Sequence, residues 1–231
     1  EYGVFEGEKR IAGETEESVY RALDLAWIPP ELREDRGEIE AAREGRLPEL
    51  VEAADIQGEL HSHTTATDGR ASLEEMALGA KRRGLKYLAV TDHSQYLKMV
   101  GGLDVRRLQA QIEEIDRRNA KLKGIRLLKG IEVEILEDGN LDLPDSALKE
   151  LDIVIGSIHS HFRLPMRQQT ERILRAMDHR FFSILAHPSG RLINEREPYA
   201  VDMAAVIQKA NERGSFLELN ANPQRLDLTD T

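Results

Sequence analysis

The chain has 231 residues, 40% of them hydrophobic, and a formal net charge of −10 at pH 7. This length and apolar content allow one domain with a buried core, with or without a short appendage. No apolar run approaches the roughly 20 residues that cross a bilayer, and the start lacks the basic and apolar stretches of a signal peptide. The chain has no cysteine, which excludes disulfides and thiolate metal sites. We therefore expect a soluble, cytoplasmic protein without a membrane partner.

The charge is unevenly distributed. Residues 1–54 contain 7 basic and 15 acidic residues, whereas residues 55–231 contain 25 basic and 27 acidic residues. Between residues 160 and 196, seven arginines accompany only three acidic residues. A basic patch suits a phosphate-bearing substrate, although composition alone favours ordinary solvated arginines.

The first 54 residues are predicted to contain one short helix and a linker. The helix begins near Thr15 and ends before Pro29-Pro30. Its apolar side consists of Val19, Leu23 and Ala26. From residue 31 to residue 52 the chain is charged and poor in large apolar side chains, which is typical of a linker with at most a helical turn. This segment is not expected to form a core alone.

From residue 55 onward, apolar strand patterns alternate with helical patterns. Strands are predicted at residues 55–60, 86–91, 126–133, 151–158, 181–186 and 215–220. Between them, helices are predicted from a capping box at Ser72 to Gly84, over 104–123, over 166–179, and from near Pro198 to Gly214. Repeated strand–helix units predict an α/β fold with a parallel sheet, either open or closed into a barrel.

Six of the seven histidines directly follow predicted strands. They are His61, His63, His93, His159, His161 and His187. Glu132 and Glu134 lie at the end of the third strand, and only His179 lies elsewhere, at a helix end. Since functional side chains gather at the carboxyl ends of strands in a strand–helix barrel, these groups are expected to converge on one rim.

Converging imidazoles and carboxylates are typical of a site for Zn²⁺, Mn²⁺ or Fe²⁺. In His61-Ser62-His63, the spacing of two places both imidazoles on one face of the strand end, where they could hold one cation. A single histidine at a strand end is more often structural. Six of them at neighbouring strand ends favour a metal site.

Five short motifs contain most of these residues. They are Leu60-His61-Ser62-His63-Thr64 with Thr67-Asp68-Gly69, Ala89-Val90-Thr91-Asp92-His93, Gly130-Ile131-Glu132, Gly156-Ser157-Ile158-His159-Ser160, and Leu185-Ala186-His187-Pro188. Each motif alone is weakly specific, but the ordered set, from about residue 55 to the C-terminus, closely resembles the polymerase and histidinol phosphatase (PHP) superfamily. The resemblance implies a distorted (β/α)7 TIM-like barrel, of which about six βα units are expected in this chain.

The flanking sequence is similar to the version of this domain found at the C-terminal end of prokaryotic family X DNA polymerases. The similar segments are Glu1-Tyr2-Gly3-Val4-Phe5, Glu14-Thr15-Glu16-Glu17-Ser18-Val19-Tyr20, Trp27-Ile28-Pro29-Pro30-Glu31-Leu32-Arg33, Glu218-Leu219-Asn220-Ala221-Asn222-Pro223 and Arg225-Leu226-Asp227-Leu228. The resemblance implies that residues 1–54 are a remnant of the polymerase palm and thumb plus a linker, and that residues 55–231 are the PHP phosphoesterase domain. No nucleotidyl-transfer site is visible, so polymerase activity is not expected.

By the same resemblance, two or three divalent metals are expected, with Mn²⁺ favoured and Zn²⁺ or Fe²⁺ as alternatives. The implied ligands are His61, His63 and Glu132 for the first metal, Glu132, His159 and His187 for the second, and Asp68 and His93 for the third. Glu132 would also hold the metal-bridging water that attacks the substrate. Asp92 would orient a ligand or cap its turn, and Glu134 would support a ligand or contact the substrate.

Substrate contacts are expected from three arginines that follow strand ends and could clamp phosphate oxygens, namely Arg163, Arg191 and Arg225. Surface ion pairs are the alternative for each arginine. Asn220 and Asn222 would bind substrate or shape their turn. His161 matches no ligand position, which leaves a phosphate contact, a proton donor or an exposed side chain.

The family's last motif, Asp-x-His, is not found before Thr231. We therefore expect a chain truncated before that motif, or one whose open sheet edge pairs with another chain. In either case the first and third metals would lack a ligand.

The resemblance implies a metal-dependent phosphoesterase that acts on DNA as a 3′–5′ exonuclease and in 3′-end processing during repair. Its expected partners are DNA, as a single strand or a 3′ end, and the polymerase portion of the same parent protein. One alternative is a small-molecule phosphatase of the histidinol-phosphatase type. Another is a non-catalytic module that is stabilised by metal or docks DNA.

Overall fold

The computed structural model describes residues 3–229, so that Glu1 and Tyr2 of the N-terminal motif, and the last two residues of the chain, lie outside the described part. The chain divides into two compact units between Asp55 and Ile56. Within the described residues, no helix is long and apolar enough to cross a membrane.

The first unit consists of an antiparallel hairpin followed by short helices. Its elements are β1 (Val4–Glu6), β2 (Lys9–Ala12), α1 (Glu16–Ala22), a 3₁₀ turn (Pro30–Leu32) and α2 (Glu38–Arg43). The predicted start of α1 is confirmed, since the Thr15 side chain accepts a hydrogen bond from the Ser18 amide. The hairpin has no clear sequence signal because its strands are short and mostly exposed. Only Ala12 and Ile28 are buried apolar residues among residues 3–55.

The second unit is built on a six-stranded parallel sheet. Its strands, which pair in chain order, are β3 (Gly58–Glu59), β4 (Tyr87–Val90), β5 (Arg126–Glu134), β6 (Ile153–Ser157), β7 (Ile184–Leu185) and β8 (Phe216–Leu217). The sheet curls into a half-barrel flanked by helices. The predicted α/β fold and its six strands as part of a TIM-like barrel are therefore confirmed.

Helices connect the strands on the outside of the sheet. They are α3 (Leu73–Arg82), α4 (Val105–Asn119), α5 (Asp145–Leu148), α6 (Met166–Met177) and α7 (Met203–Arg213). The capping box at Ser72 is present as predicted. The fourth predicted helix begins later than expected, because Asp202 rather than Pro198 provides its N-terminal cap. Helix α5 is only one turn long, and the sequence pattern does not indicate it.

Alternate strand residues contribute to three apolar clusters on the two faces of the sheet. One cluster contains no helix residue and lies inside the curled sheet: Ala89, Ile153, Ile155, Ile184 and, just after β7, Ala186. The neighbouring strand residues, such as Val90 and Val154, pack outward against the helices. Because both faces of the sheet are covered, the strand sequences are nearly continuous apolar runs. This packing fixes the carboxyl ends of all six strands along one rim of the half-barrel.

Candidate metal centre

Each of the six parallel strands delivers at least one polar side chain to this rim. The side chains are His61 and His63 after β3, His93 after β4, Glu132 on β5, His159 after β6, His187 after β7 and Glu218 after β8. Together they line a cavity of about 480 Å³. A volume of this size is within the range of about 300–1,000 Å³ that is usual for small-molecule sites.

Backbone pairing beyond β4 places His93 beside Glu132. The Glu132 amide donates a hydrogen bond to the Asp92 carbonyl at 3.1 Å, and the Ser94 amide donates to the Glu132 carbonyl at 3.0 Å. The parallel ladder thus continues past the regular end of β4 as a single bridge between His93 and Glu132. The two side chains are held next to each other by this register.

Glu132 is the centre of the cluster. It is 1% exposed, and its Oε2 lies 3.4 Å from His61 Nε2, 3.3 Å from His63 Nε2 and 2.9 Å from His93 Nδ1. Its other oxygen, Oε1, lies 3.4 Å from His159 Nε2 and 3.0 Å from His187 Nε2. One carboxylate therefore faces five imidazoles from four other strand ends.

The electrostatics of the cluster follow from this arrangement. Burial would raise the pKa of Glu132, but the surrounding imidazoles hold it well below its usual range. Burial would likewise lower the pKa of His61, but the carboxylates of Glu132 and Glu218 raise it to about 10. Burial lowers the pKa of His187, which favours the neutral ring that a metal requires. The centre of the cluster therefore attracts positive charge.

Two atoms at this centre are buried without a hydrogen-bond partner, namely His93 Nδ1 and Glu132 Oε2. They lie 2.9 Å apart, but not in hydrogen-bond geometry. A buried polar atom without a partner costs about 1–3 kcal/mol, and a shared cation would satisfy both atoms. The residues of this cluster therefore fit a divalent metal, and their nitrogen and oxygen donors suit Mn²⁺, Zn²⁺ and Fe²⁺ alike.

Three groups within the described residues have ligand atoms that all lie within 4.8 Å of one another. They are His61, His63 and Glu132; His63, Asp68 and His93; and His93, Glu132 and His159. The first group has the membership that the resemblance implies. The other two groups differ from the ligand sets that the resemblance implies. In the second, His63 lies with Asp68 and His93, and in the third, His93 lies with Glu132 and His159. His187 belongs to none of the three, but it contacts Glu132 directly.

Glu218 supports two of these histidines from the end of β8. Its Oε1 lies 2.6 Å from His61 Nδ1, and its Oε2 accepts a hydrogen bond from the His187 amide at 2.6 Å. The second bond holds His187 at a φ of 30°, a strained value for a residue with a side chain. No role is predicted for Glu218 from the sequence, although it lies near the end of the sixth predicted strand, as Glu132 does in the third.

Asp92 lies behind the cluster and is fully buried. Its carboxylate accepts hydrogen bonds from the Thr64 amide and hydroxyl at 2.8 and 2.7 Å, from the Thr67 hydroxyl at 2.6 Å and from Gln111 Nε2 at 2.6 Å. These bonds fix the loop between His63 and Asp68. In this position Asp92 orients the loop that carries two candidate ligands.

Only some of the expected substrate residues line the cavity. Asn220, Asn222 and Arg225 line the cavity. Arg191 instead donates a hydrogen bond from Nε to the Arg225 carbonyl at 2.6 Å, so that it supports the loop that carries Arg225. Both asparagines also shape their turn, since each side-chain oxygen accepts a hydrogen bond from the amide two residues later.

Two expected substrate residues lie away from the cavity. Arg163 is exposed and does not line it. His161 is also exposed, and its Nδ1 lies 3.6 Å from Glu137 Oε2. Two apolar residues that have no distinctive sequence signal, Leu97 and Val100, also line the cavity.

Comparison with known proteins agrees with this arrangement. The family model of the PHP domain matches residues 59–222, and the model of the DNA polymerase beta thumb matches residues 1–34. DNA polymerase/3′-5′ exonuclease PolX of Bacillus subtilis (strain 168) is 45% identical over 214 residues, which cover 93% of this chain and 37% of that protein.

Proteins described as probable phosphatases are also similar. One from Thermoanaerobacter sp. (strain X514) is 33% identical over 165 residues, which cover 69% of this chain and 62% of that protein. One from Acetivibrio thermocellus is 31% identical over 170 residues, which cover 69% of this chain and 63% of that protein. The chain thus spans between about a third and two thirds of the length of these relatives. From the match over residues 59–222 and the strand-end motifs that it includes, the chain belongs to the PHP domain family.

Proposed function

We propose that this chain is a metal-dependent phosphoesterase that acts on DNA, as a 3′–5′ exonuclease and in 3′-end processing, and that it works with a family X DNA polymerase in DNA repair. The observation that carries the proposal is the buried carboxylate of Glu132, whose oxygens lie within 3.4 Å of five imidazoles. The similarity to PolX over 93% of the chain supports DNA as the substrate.

The proposed domain arrangement places a polymerase remnant and linker in residues 1–54 and the phosphoesterase in residues 55–231. The match of the polymerase beta thumb to residues 1–34 supports the first part. DNA and the polymerase portion of the parent protein are the proposed partners.

The proposed metal ligands are the seven cavity residues expected from the resemblance: His61, His63, Asp68, His93, Glu132, His159 and His187. Divalent cations held by them would activate water for attack and neutralise charge on the phosphate, and Mn²⁺ is the proposed cation. Arg225 lines the same cavity, where its guanidinium would orient the scissile phosphate. Glu218 and Asp92 would keep the ligands in position.

The direct test is hydrolysis of a single-stranded DNA oligonucleotide labelled at its 5′ end. With Mn²⁺, the chain should shorten it from the 3′ end, and a chelator should abolish the reaction. Glu132→Gln removes the central charge with little change in volume, and it should lower the rate by at least about 100-fold, the upper range for loss of a mere supporting partner. Glu137→Gln is the matched control, because Glu137 is exposed and outside the cavity. A rate equal in Glu132→Gln and wild type would contradict the proposal.

A small-molecule phosphatase is the second candidate, supported by the relatives described as probable phosphatases. The same protein is assayed on histidinol phosphate at an equal concentration of Mn²⁺. Faster release of phosphate from histidinol phosphate than of nucleotides from DNA would favour this candidate. Full metal uptake without hydrolysis of either substrate would favour a non-catalytic module instead.

A further inference from the structure

A buried ion pair lies beside the metal centre without lining its cavity. Arg172 on α6 and Glu134 at the end of β5 both have side chains that are 0% exposed, and Arg172 Nη2 lies 3.3 Å from Glu134 Oε1. Taking two charges out of water is costly, and replacement of such a pair by apolar residues is often neutral or stabilising. Stability alone is therefore a weak explanation for this pair.

The guanidinium of Arg172 connects two strand ends. Its Nε donates hydrogen bonds to the carbonyls of Ile135 and Leu136 at 3.0 and 2.9 Å, just after β5. Its Nη1 donates to the carbonyl of Ser160 at 3.0 Å, in the loop after β6. Arg172 thereby fixes the position of Glu134 relative to the loop that carries His159.

Glu134 in turn holds His159. Its Oε2 lies 3.0 Å from His159 Nδ1 and also accepts a hydrogen bond from the His159 amide at 3.0 Å. Its Oε1 accepts from the Ser160 hydroxyl at 2.5 Å. The carboxylate thus contacts both the backbone amide and the ring of His159.

These contacts select one tautomer of His159. Both oxygens near Nδ1 are acceptors, because Glu134 is a carboxylate and Ser157 Oγ, at 3.2 Å, donates its own hydrogen to the Val133 carbonyl. Nδ1 must therefore carry the proton, which leaves the lone pair of a neutral ring on Nε2. His159 Nε2 lies 3.4 Å from Glu132 Oε1, and both residues belong to one group of candidate metal ligands.

We propose that Arg172 and Glu134 form a positioning relay, which holds His159 as its Nδ1–H tautomer and so presents Nε2 to a divalent cation shared with Glu132. Arg172 acts through Glu134, and neither residue touches the substrate. The proposal rests on the metal site of the proposed function, but it assigns work to two residues outside the cavity. Partners of this kind are worth about 10–100-fold in metal affinity elsewhere.

Glu134→Gln is the most discriminating substitution, because it keeps the shape and removes the charge. The glutamine amide has only one oxygen, so it cannot accept hydrogen bonds at both positions that the two Glu134 oxygens occupy. If its oxygen faces Arg172 and Ser160, its NH₂ faces His159 Nδ1 and forces the proton onto Nε2, which blocks the metal. If the amide is reversed, its NH₂ faces the N–H groups of Arg172, and the relay is broken at that end.

The test measures Zn²⁺ and Mn²⁺ uptake per chain over a range of free metal concentrations, without reference to activity. Glu134→Gln should weaken uptake of one metal about 10–100-fold, whereas Glu137→Gln, an exposed glutamate three residues later, should match wild type. Uptake by Glu134→Gln that equals wild type would overturn the relay alone. No uptake by wild type would overturn both the relay and the proposed metal site.

A second measurement needs no substitution and covers the case in which Glu134→Gln does not fold. In ¹⁵N-labelled, Zn²⁺-loaded wild type, long-range ¹H–¹⁵N spectra should show His159 with a protonated Nδ1 and a metal-bound Nε2. A ring bound through Nδ1, or one that is unchanged by Zn²⁺, would overturn the proposal.

Discussion

A carboxylate that leaves water without a partner loses several kcal/mol of hydration, so a buried one requires compensation. Glu132 obtains it from five imidazoles, which the strand ends hold around its carboxylate. The partners of these imidazoles are carboxylates in turn: Glu218 contacts His61, and Asp68 contacts His63. Such an alternation of carboxylate and imidazole orients the ring nitrogens and raises their basicity as metal ligands. The residues that contact the candidate ligands are therefore expected to matter almost as much as those ligands.

Loss of the support at His61 and His187 gives one prediction. Glu218→Gln replaces the oxygen that pairs with His61 or the one that accepts from the His187 amide, since an amide has only one oxygen. We expect metal affinity to fall about 10–100-fold with the fold retained. Titration of the metal-free protein with Mn²⁺, with circular dichroism to monitor the fold, provides the measurement. An unchanged titration curve would mean that Glu218 is only structural.

The different positions of Arg225 and Arg163 give a second prediction. Arg225 lines the cavity and Arg163 does not, so Arg225→Ala should lower kcat/KM on DNA by about 10–100-fold, the equivalent of one charge-assisted hydrogen bond of about 1.5–3 kcal/mol. Arg163→Ala should remain within a factor of about two, because exposed charges contribute little. Kinetics on a short oligonucleotide compare the two variants. Equal losses would place the substrate path outside this cavity.

Regular elements bring the candidate ligands together, and these elements are where the sequence pattern is most informative. All six parallel strands and the capping box of α3 are predicted, because buried strands and helix caps leave local signals. The convergence of the histidines on one rim can be predicted because they directly follow the predicted strands. The role of Arg172 is not predicted, although it occupies the buried face of α6 between Gln169 and Ala176. A charge on an apolar helix face signals a buried partner, but its identity depends on a contact between distant parts of the chain.

Two glycines test the packing of the elements. A Cβ at Gly156 on β6 would lie 2.1 Å from the Phe182 ring, whereas one at Gly79 on α3 would meet nothing closer than 3.7 Å. Gly156→Ala should therefore lower the free energy of unfolding by about 1–3 kcal/mol. Gly79→Ala should raise it by about 0.5–1 kcal/mol, because alanine favours the helix. Urea unfolding of the metal-free variants gives both values, and the same sign for both would contradict this packing.

Across the whole chain, a bound metal is expected to stabilise the fold. Residues 1–54 carry most of the net negative charge, and the larger unit concentrates its buried charged side chains near the carboxyl ends of its strands. A cation that binds the folded state and not the unfolded chain stabilises the fold by about 2.7 kcal/mol at 100 times its Kd. We expect Mn²⁺ at that level to raise the Tm of the chain by roughly 5–10 °C.

Calorimetry with Mn²⁺ and with a chelator measures that shift. Glu132→Gln provides the comparison, since it removes the shared ligand and should abolish most of the shift. Equal Tm values for wild type with metal and with chelator would indicate that the strand-end cluster binds no cation in the folded state.

The strand-end histidines and Glu132 are proposed to form one shared site for several metals. The most direct measurement is the number of transition-metal ions per chain, determined by mass spectrometry on protein purified without chelator. A shared site predicts two or three ions per wild-type chain and fewer in Glu132→Gln. One ion or none in the wild-type chain would contradict it.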